Sequence, residues 1–197
     1  MEYFPAFLNR HARACLLVGA GEVASRKARL SLSAGARLTV VAPQCDASLL
    51  DKAANGELRL VQREFRPSDV RGQWLVVGAT NDREVQALVK DAADAEGIFC
   101  NCVDDAAGSS YINPAVVHRS PIVVAISSGG AAPVLARKIR AELEVMLPAS
   151  LGKLAKIARH LRALVSESIG NTFARRRFWE RVFDGGIARA IHFRSWR

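Results

Sequence analysis

The sequence ACLLVGAGEVASRKARLSLS, residues Ala14–Ser33, sets the architecture of the first half of the chain. Its apolar run Cys15–Val18 predicts a buried strand, Gly19 and Gly21 follow, and a pattern with a helical period begins after them. The first glycine permits a tight turn. The second allows backbone to approach a phosphate at the helix N-terminus, where free N–H groups favour negative charge. This strand, turn and helix therefore predict a dinucleotide-binding turn.

The alternation of apolar runs and amphipathic segments continues after this turn. Strands with few polar residues, separated by helices, are typical of a parallel sheet that is covered on both faces. Small and polar residues at Gly78–Asn81, including Thr80, leave room for a ligand at the carboxyl edge of this sheet. The remaining predicted strands are Leu38–Val41, Leu58–Gln62, Trp74–Val77 and Ile98–Val103, with helices over Ser48–Asn55 and Asp82–Glu96.

The pattern changes after about residue 110. Tyr111–Ile112 and Ile122–Ser127 are predicted as short strands outside the repeating unit, because prolines break the chain beside them. A second glycine turn, Ser127–Gly130, leads into a helical region. Its helices are predicted to begin at Pro133 and to span Ala149–Glu167 and Thr172–Phe183.

Composition limits the classes of protein that this chain can represent. Half of the 197 residues are apolar, no run approaches the roughly 20 residues of a membrane helix, and the start lacks a leader pattern. We therefore expect a cytoplasmic protein without a membrane partner. Four cysteines with no C-x-x-C pair are expected to be reduced core residues.

The net charge of +9 is concentrated in the last third of the chain, where Arg137–Arg197 contains 14 basic and 5 acidic residues. Such a surface suits a polyanionic partner, which could be nucleic acid, anionic lipid or a carboxylate-rich small molecule. A solvated helix surface is the alternative. Charge alone does not separate these interpretations.

Two strand ends carry the side-chain chemistry of the predicted sheet. The second strand ends in Ala42, Pro43 and Gln44 without the acid that commonly binds a ribose hydroxyl, which leaves NAD and NADP both open. The fifth strand ends in Asp104 and Asp105. An acid there can accept a proton beside a bound cofactor, although a turn or helix-cap acid is the alternative.

Four separated motifs, taken together, resemble those of one protein family. In order and spacing they resemble the amino-terminal module of siroheme synthase, the precorrin-2 dehydrogenase and sirohydrochlorin ferrochelatase family, from about Pro5 to about Asp184. The run Arg175–Glu180 is also similar to a late helix of that family. The motifs are LVGAGEVA with Arg26 and Lys27, GARLTVVAP at 35–43, NCVD at 101–104, and AISSGG at 125–130 leading to PVLAR at 133–137.

The resemblance implies an α/β fold in three parts. A Rossmann-like parallel sheet domain that binds NAD is expected at residues 1–112, a dimerisation segment at 113–148 and a small helical domain at 149–197. The resemblance also implies a homodimer. The final residues, 191–197, match nothing in the family pattern.

The activity that the resemblance implies is NAD-dependent dehydrogenation of precorrin-2 to sirohydrochlorin, followed by insertion of ferrous iron. Iron is then a substrate, and no bound metal is expected. The carboxylate-rich tetrapyrrole gives the basic last third a candidate partner, since arginine pairs with carboxylates bidentately. Methylation upstream is expected from a uroporphyrinogen methyltransferase, in another protein or in sequence beyond Arg197.

Site residues follow from the resemblance, motif by motif. Asp104 matches the catalytic aspartate, and Asn101, Ser128 and Arg137 are expected to contact the tetrapyrrole. Ser128 can bind a carboxylate or be open to modification, and a helix-capping serine is the alternative. The expected cofactor contacts are Gly19, Gly21, Glu22 and Val23 at the pyrophosphate, Pro43 and Gln44 at the adenosine, and Thr80.

Two other classes of function stay open at this point. The first is an NAD-binding regulatory domain without catalysis, such as the nucleotide-sensing domains of potassium channels. Those commonly carry an acid at the end of the second strand, and Ala42 and Pro43 argue against them. The second is a nucleic-acid-binding protein, but the basic helices lack interleaved aromatic residues, so no nucleic-acid partner is expected.

Overall fold

The computed structural model describes residues 3–185. Residues 191–197, which match nothing in the family pattern, lie outside this range. The chain divides into two compact units, which are described separately. Unit 1 is Met1–Asn113 and unit 2 is Pro114–Arg197.

Unit 1 contains five strands in one parallel sheet, in the order β3-β2-β1-β4-β5. Leu17 in the central strand lies between Val40 and Val77, so apolar residues adjoin across the middle of the sheet. The three strands in the middle of the sheet are mostly buried on both faces, which explains their nearly unbroken apolar sequences. The predicted parallel sheet is therefore confirmed. The strands are β1 Ala14–Val18, β2 Arg37–Val41, β3 Arg59–Val61, β4 Leu75–Gly78 and β5 Phe99–Cys102.

Helices cover both faces of this sheet. They are α1 Glu22–Ser33, α2 Ala47–Ala54 and α3 Arg83–Ala95, with a single 3-10 turn at Pro67–Val70. Ala24 and Ala28 of α1 are fully buried in the apolar cluster that also contains Leu17 of β1. Their small side chains let α1 lie close to the strands.

On the other face, α3 packs through Val89 and Ala93 against a second apolar cluster. Its first turn is stabilised because the Asp82 carboxylate accepts hydrogen bonds from the N–H groups of Glu84 and Val85, at 2.9 and 3.1 Å. The sheet is thus held between two helical layers. Helix α3 lies within one residue at each end of its predicted range.

The prediction of a strand at Tyr111–Ile112 is wrong. This segment follows a turn whose serines bind the free edge of β5: Ser110 Oγ accepts the Cys100 N–H at 2.7 Å, and Ser109 Oγ accepts the Cys102 N–H at 2.9 Å. Side-chain oxygens therefore replace a neighbouring strand. No sixth strand pairs there within residues 3–113.

Unit 2 begins with an antiparallel hairpin, β6 Ala115–Arg119 and β7 Ile122–Ile126. Strand β7 matches the predicted segment Ile122–Ser127, whereas β6 was not predicted. Three helices follow, α4 Pro133–Met146, α5 Ser150–Ser168 and α6 Thr172–Asp184. No helix within residues 3–185 is both long enough and apolar enough to cross a membrane.

The hairpin of unit 2 is fastened to two of these helices. Arg119 Nε donates to the Leu147 carbonyl at 2.7 Å, and its Nη2 donates to the Glu144 carbonyl at 2.8 Å, so the guanidinium caps the end of α4. At Gly152 of α5, an added Cβ would lie 2.6 Å from the Ser120 carbonyl oxygen. Helix α5 therefore packs directly on the hairpin turn.

Candidate dinucleotide site and its carboxylate

The first glycine of the turn is required by the protein itself. Gly19 has a φ of +102°, and a Cβ there would overlap the Ala79 carbonyl at the end of β4. The backbone on either side is tied down, since Gly19 N–H donates to Val41 at 2.9 Å and Ala79 N–H donates to Val18 at 2.7 Å. The turn is therefore a fixed part of the sheet edge.

The second glycine faces open space. An added Cβ at Gly21 meets no atom within 4 Å, and the residue precedes α1. The first N–H used at this end is that of Ser25, which donates to the Gly21 carbonyl at 2.9 Å. The N–H groups of Glu22 and Val23 have no acceptor within residues 3–185. This open helix end fits a pyrophosphate, because unpaired N–H groups and the helix dipole both favour an anion.

The other predicted cofactor contacts lie on the same carboxyl edge. Pro43 and Gln44 are exposed just after β2, and the following segment is held beside the turn because Asp46 N–H donates to the Ala20 carbonyl at 3.0 Å. Thr80 is half-buried after β4, and its Oγ1 accepts the Asp82 N–H at 3.1 Å. Their contacts with a nucleotide stay predictions.

The two acids after β5 differ in their hydrogen bonding. The Asp105 carboxylate accepts the Gly108 N–H at 2.8 Å, so it stabilises the turn. The exposed Asp104 has a φ of +60°, a left-handed backbone that side chains other than asparagine and aspartate seldom adopt. Its carboxylate has no hydrogen bond or ion pair within 4 Å in the described part of the chain. Asp105 is the turn acid, and Asp104 is the available one.

Asp104 is held in place through the residue before it. The Val103 N–H donates to the Gly78 carbonyl at 2.8 Å, and the Val103 carbonyl accepts from the Gln86 amide at 2.8 Å. The first bond leads to the buried strand β4 and the second to α3, which packs on the sheet through Val89 and Ala93. The left-handed backbone at Asp104 is therefore supported by the residue before it, as at many functional sites.

Lys27 belongs to the first of the four motifs, but the sequence alone predicts no role for it at the site. It lies half-buried on α1. Burial, and then the positive charge of Arg26, lower the pKa of the Lys27 ammonium, while the charge of Asp104 acts in the opposite direction.

The side chain of Asn101 is engaged within the fold. This side chain is 7% exposed, its amide nitrogen donates to the Tyr111 carbonyl at 3.1 Å, and its oxygen accepts from the Asn113 amide at 2.6 Å. Both ends of the amide are used inside unit 1. Asn101 therefore anchors the segment that follows β5, and its contact with substrate stays a prediction.

Two predicted tetrapyrrole contacts lie in unit 2. Ser128 Oγ accepts the Ala132 N–H at 2.9 Å, within a turn that has positive φ at Gly129 and Gly130. Arg137 is exposed on α4 and has no ion pair within residues 3–185. Their contacts with substrate stay predictions.

A glycine turn, an open helix N-terminus and an unpaired carboxylate along one parallel sheet edge define a Rossmann-like dinucleotide-binding protein. Comparison with protein families extends this assignment over most of the chain. The matching family models are described as putative NAD(P)-binding at residues 6–115, sirohaem biosynthesis protein central at 119–146 and sirohaem synthase dimerisation region at 150–193. The chain belongs to the siroheme synthase family, in the part that carries the NAD(P)-binding region.

Individual relatives agree with the family models. Siroheme synthase 3 of Aeromonas hydrophila is 52% identical over 182 residues, which are 92% of this chain and 39% of the relative. Siroheme synthase of Chromobacterium violaceum is 50% identical over 191 residues, 97% of this chain and 41% of the relative. The chain thus spans about two fifths of the length of these relatives.

A solved structure supports the fold along most of the chain. SirC, a precorrin-2 dehydrogenase, is 26% identical and has a TM-score of 0.78, covering 91% of this chain and 89% of SirC. The predicted resemblance and fold class are confirmed, and a nicotinamide cofactor is confirmed for the family. The dimerisation segment predicted at 113–148 stays a prediction. The family model that is described as a dimerisation region matches residues 150–193.

Proposed function

We propose that the chain catalyses the NAD-dependent dehydrogenation of precorrin-2 to sirohydrochlorin. The observation that carries the proposal is the unpaired Asp104 carboxylate, on the same sheet edge as an open dinucleotide turn. The match to SirC along 91% of the chain adds support. The reaction removes two hydrogens from the substrate: one leaves as hydride to the nicotinamide ring, and the other leaves as a proton.

The residues of unit 1 divide this work between binding and proton transfer. The N–H groups of Glu22 and Val23 bind the pyrophosphate in the space in front of Gly21, and Pro43 and Gln44 lie against the adenosine, with Thr80 on the same edge. Bound NAD supplies the hydride acceptor. Asp104 accepts the proton, for which an exposed carboxylate without a competing partner is suited.

Unit 2 supplies the binding groups for the tetrapyrrole. Arg137 is an exposed cation that is free of ion pairs within residues 3–185, so it can pair with a substrate carboxylate. The Ser128 hydroxyl can still donate a hydrogen bond while its oxygen accepts from Ala132. Asn101 is left out of this proposed set because its amide is used within the fold.

The proposal extends to insertion of ferrous iron into sirohydrochlorin. This step requires the pyrrole nitrogens to lose protons, and the Asp104 carboxylate can accept them as it accepts the proton of the first reaction. Iron is a substrate here. No group of three or more histidine, cysteine or acidic side chains within residues 3–185 is arranged to hold a metal ion.

The partners in this proposal are a second copy of the chain and the tetrapyrrole. A homodimer is supported by the dimerisation region at 150–193 and by the exposed apolar side chains of unit 2. Methylation upstream would come from a uroporphyrinogen methyltransferase. We place the protein in the cytoplasm, where four free cysteines remain reduced.

The test is an anaerobic assay of the protein with precorrin-2 and NAD, in which NADH formation is recorded. We expect Asp104→Asn to lower the rate by about 10² or more, as for loss of a general base. Asparagine tolerates the left-handed backbone, so the fold is kept. Asp51→Asn, an exposed acid on α2, is the matched control and should leave the rate unchanged.

Two further measurements on the same variants separate the parts of the proposal. NAD titration should give equal affinity for Asp104→Asn and the wild type, because the pyrophosphate site lies elsewhere. Iron insertion into sirohydrochlorin should fall together with dehydrogenation. Retained chelation would assign that step to another base, and full retention of both activities would remove Asp104 from the mechanism.

A further inference from the structure

Two glutamines of unit 1 each bury a side-chain oxygen that has no partner. Gln73 lies just before β4, at the amino edge of the sheet, and Gln86 lies in the first turn of α3, at the carboxyl edge. The Oε1 atoms of both accept no hydrogen bond within the described part of the chain. Burying an amide oxygen without a hydrogen bond is unfavourable, so packing alone does not favour glutamine at either position.

The nitrogen end of the Gln86 amide binds the backbone next to the candidate base. Its Nε2 donates to the Val103 carbonyl at 2.8 Å, while the Val103 N–H donates to the Gly78 carbonyl at 2.8 Å. The backbone groups of Val103 are thus held by α3 on one side and by β4 on the other. Because the peptide group is planar, fixing the Val103 carbonyl also fixes the backbone nitrogen of Asp104.

Gln86 is itself held in place at the start of α3. Its N–H donates to the Asp82 carbonyl at 3.0 Å, and Asp82 caps the helix through its side chain. On the side of β5, Cys102 Sγ lies 4.0 Å from the Gln86 carbonyl oxygen. The first turn of α3 is therefore joined to the end of β5 by side-chain and backbone groups, immediately before the left-handed residue Asp104.

We propose that Gln86 is a positioning residue, which keeps Asp104 at the proton it removes by holding the Val103 carbonyl. This inference rests on the proposed dehydrogenase function, in which Asp104 is the base. A left-handed backbone is sparsely populated by aspartate, so it persists where neighbouring groups hold it. The bond to Val103 also explains the unpaired Oε1, since the carbonyl determines which end of the amide faces it.

The first test compares the same substitution at the two glutamines. Methionine keeps the unbranched shape of the side chain but has no donor. We expect Gln86→Met to lower kcat for NADH formation about tenfold, as a displaced catalytic group does, with little change in KM for NAD. Gln73→Met, the matched control at the opposite edge of the sheet, should keep kcat. An unchanged kcat in folded Gln86→Met would overturn the proposal.

The second test asks whether Gln86 acts through Asp104. In an Asp104→Asn background the base is already lost, so adding Gln86→Met should lower the remaining rate no further. A general effect on the structure would instead reduce the rate by the same factor in both backgrounds. Equal losses in the two backgrounds would therefore contradict a positioning role.

The third test needs no substrate. Amide hydrogen exchange, followed by mass spectrometry of the peptides that contain Val103 and Asp104, should become about tenfold faster in Gln86→Met and stay unchanged in Gln73→Met. The urea midpoints of the two variants should be similar, because each removes one buried oxygen without a partner. Unchanged exchange around Asp104 in Gln86→Met would show that the glutamine does not hold this turn.

The outcomes distinguish this inference from the proposed function. If the wild type forms no NADH from precorrin-2, the dehydrogenase proposal fails, while hydrogen exchange still decides whether Gln86 holds the Asp104 turn. If the wild type is active and Gln86→Met retains its kcat, the positioning role alone is wrong. Gln86→Leu repeats each measurement with a second apolar side chain, so the test stands even where methionine impairs folding.

Discussion

Unit 1 and unit 2 bury their apolar residues very differently. In unit 1 the strands supply a continuous core, in which residues such as Leu16, Leu17, Val40 and Val76 are at most 1% exposed. In the described part of unit 2 the buried apolar side chains are few and come from separate elements, namely Val117, Ala136, Leu154 and Val165. The first unit has the core of an independent domain, and the second has a much smaller one.

The two units also differ in their exposed apolar side chains. Unit 2 leaves large apolar residues in solvent on all three of its described helices, and exposed apolar patches often mark interaction surfaces. This contrast motivates the proposal that the dinucleotide binds to unit 1 and that a second copy of the chain associates through unit 2. The most exposed are Val134 (72%), Val145 (87%), Met146 (71%), Leu164 (60%) and Phe173 (67%).

The largest effect is expected from a substitution at Gly19, whose backbone lies close to the Ala79 carbonyl in unit 1. Gly19→Val adds a side chain that overlaps the Ala79 carbonyl, at a φ of +102° that valine avoids. We expect a loss of about 3 kcal/mol or more in the free energy of unfolding, measured with urea. Gly21→Val is the matched control, because its side chain meets no protein atom. Equal stability of the two variants would contradict this account of the turn.

The apolar surface of unit 2 is tested by charge. We expect the wild type to scatter light as a dimer of the 21.4 kDa chain, and Val145→Glu with Met146→Glu to weaken association about a hundredfold or more. Leu30→Glu places a single glutamate on an exposed leucine of unit 1 and should leave the dimer intact. A wild-type monomer at working concentration would refute the homodimer.

A smaller effect concerns nucleotide binding alone. Gly21→Val fills the open space before α1, so NAD affinity should fall at least tenfold, which is about 1.4 kcal/mol. Isothermal titration measures this directly. The unfolding curve should stay close to that of the wild type, since a residue before a helix has a modest effect on stability. Unchanged affinity in the folded variant would exclude this space as the pyrophosphate site.

The smallest expected effect concerns how the stability of unit 2 depends on pH. A hydrogen bond from Arg119, and then the charge of Arg140, hold the pKa of Glu144 below its usual 4.5. The ionised Glu144 therefore stabilises the folded state above pH 4.5, and this stabilisation is lost as the pH falls through the lowered pKa of Glu144. Urea midpoints measured at about pH 6 and about pH 3 should differ less in Glu144→Gln than in the wild type. Glu167→Gln, an exposed control, should behave like the wild type.

Most of unit 1 could be predicted from sequence because its signals are local. Buried parallel strands have apolar runs, and the glycines at 19 and 21 stand where a turn and an open helix end require them. The local pattern does not distinguish Asp104 from Asp105, and only the family resemblance selected Asp104. The distinction depends on which of two adjacent carboxylates reaches the Gly108 N–H, and the sequence pattern is the same for either choice.

The errors after β5 have a common physical origin. Tyr111–Ile112 has the composition of a strand, but the Asn101 amide and the Ser110 hydroxyl satisfy the backbone around it. Strand β6 was missed because its sequence, Ala-Val-Val-His-Arg, is short and mixed, and its pairing with β7 forms across a tight turn. Both outcomes depend on hydrogen bonds between residues that local patterns do not relate.

The two serines that bind the edge of β5 also affect how the chain behaves while it is being made. A bare outer strand is a template on which other chains can polymerise, and newly synthesised proteins are most exposed to this hazard. Ser109 and Ser110 occupy the donors of β5, while the opposite border, β3, is only three residues long and begins with a charged residue, Arg59. Replacing both serines would keep the apolar core intact yet favour amyloid-like aggregation during expression.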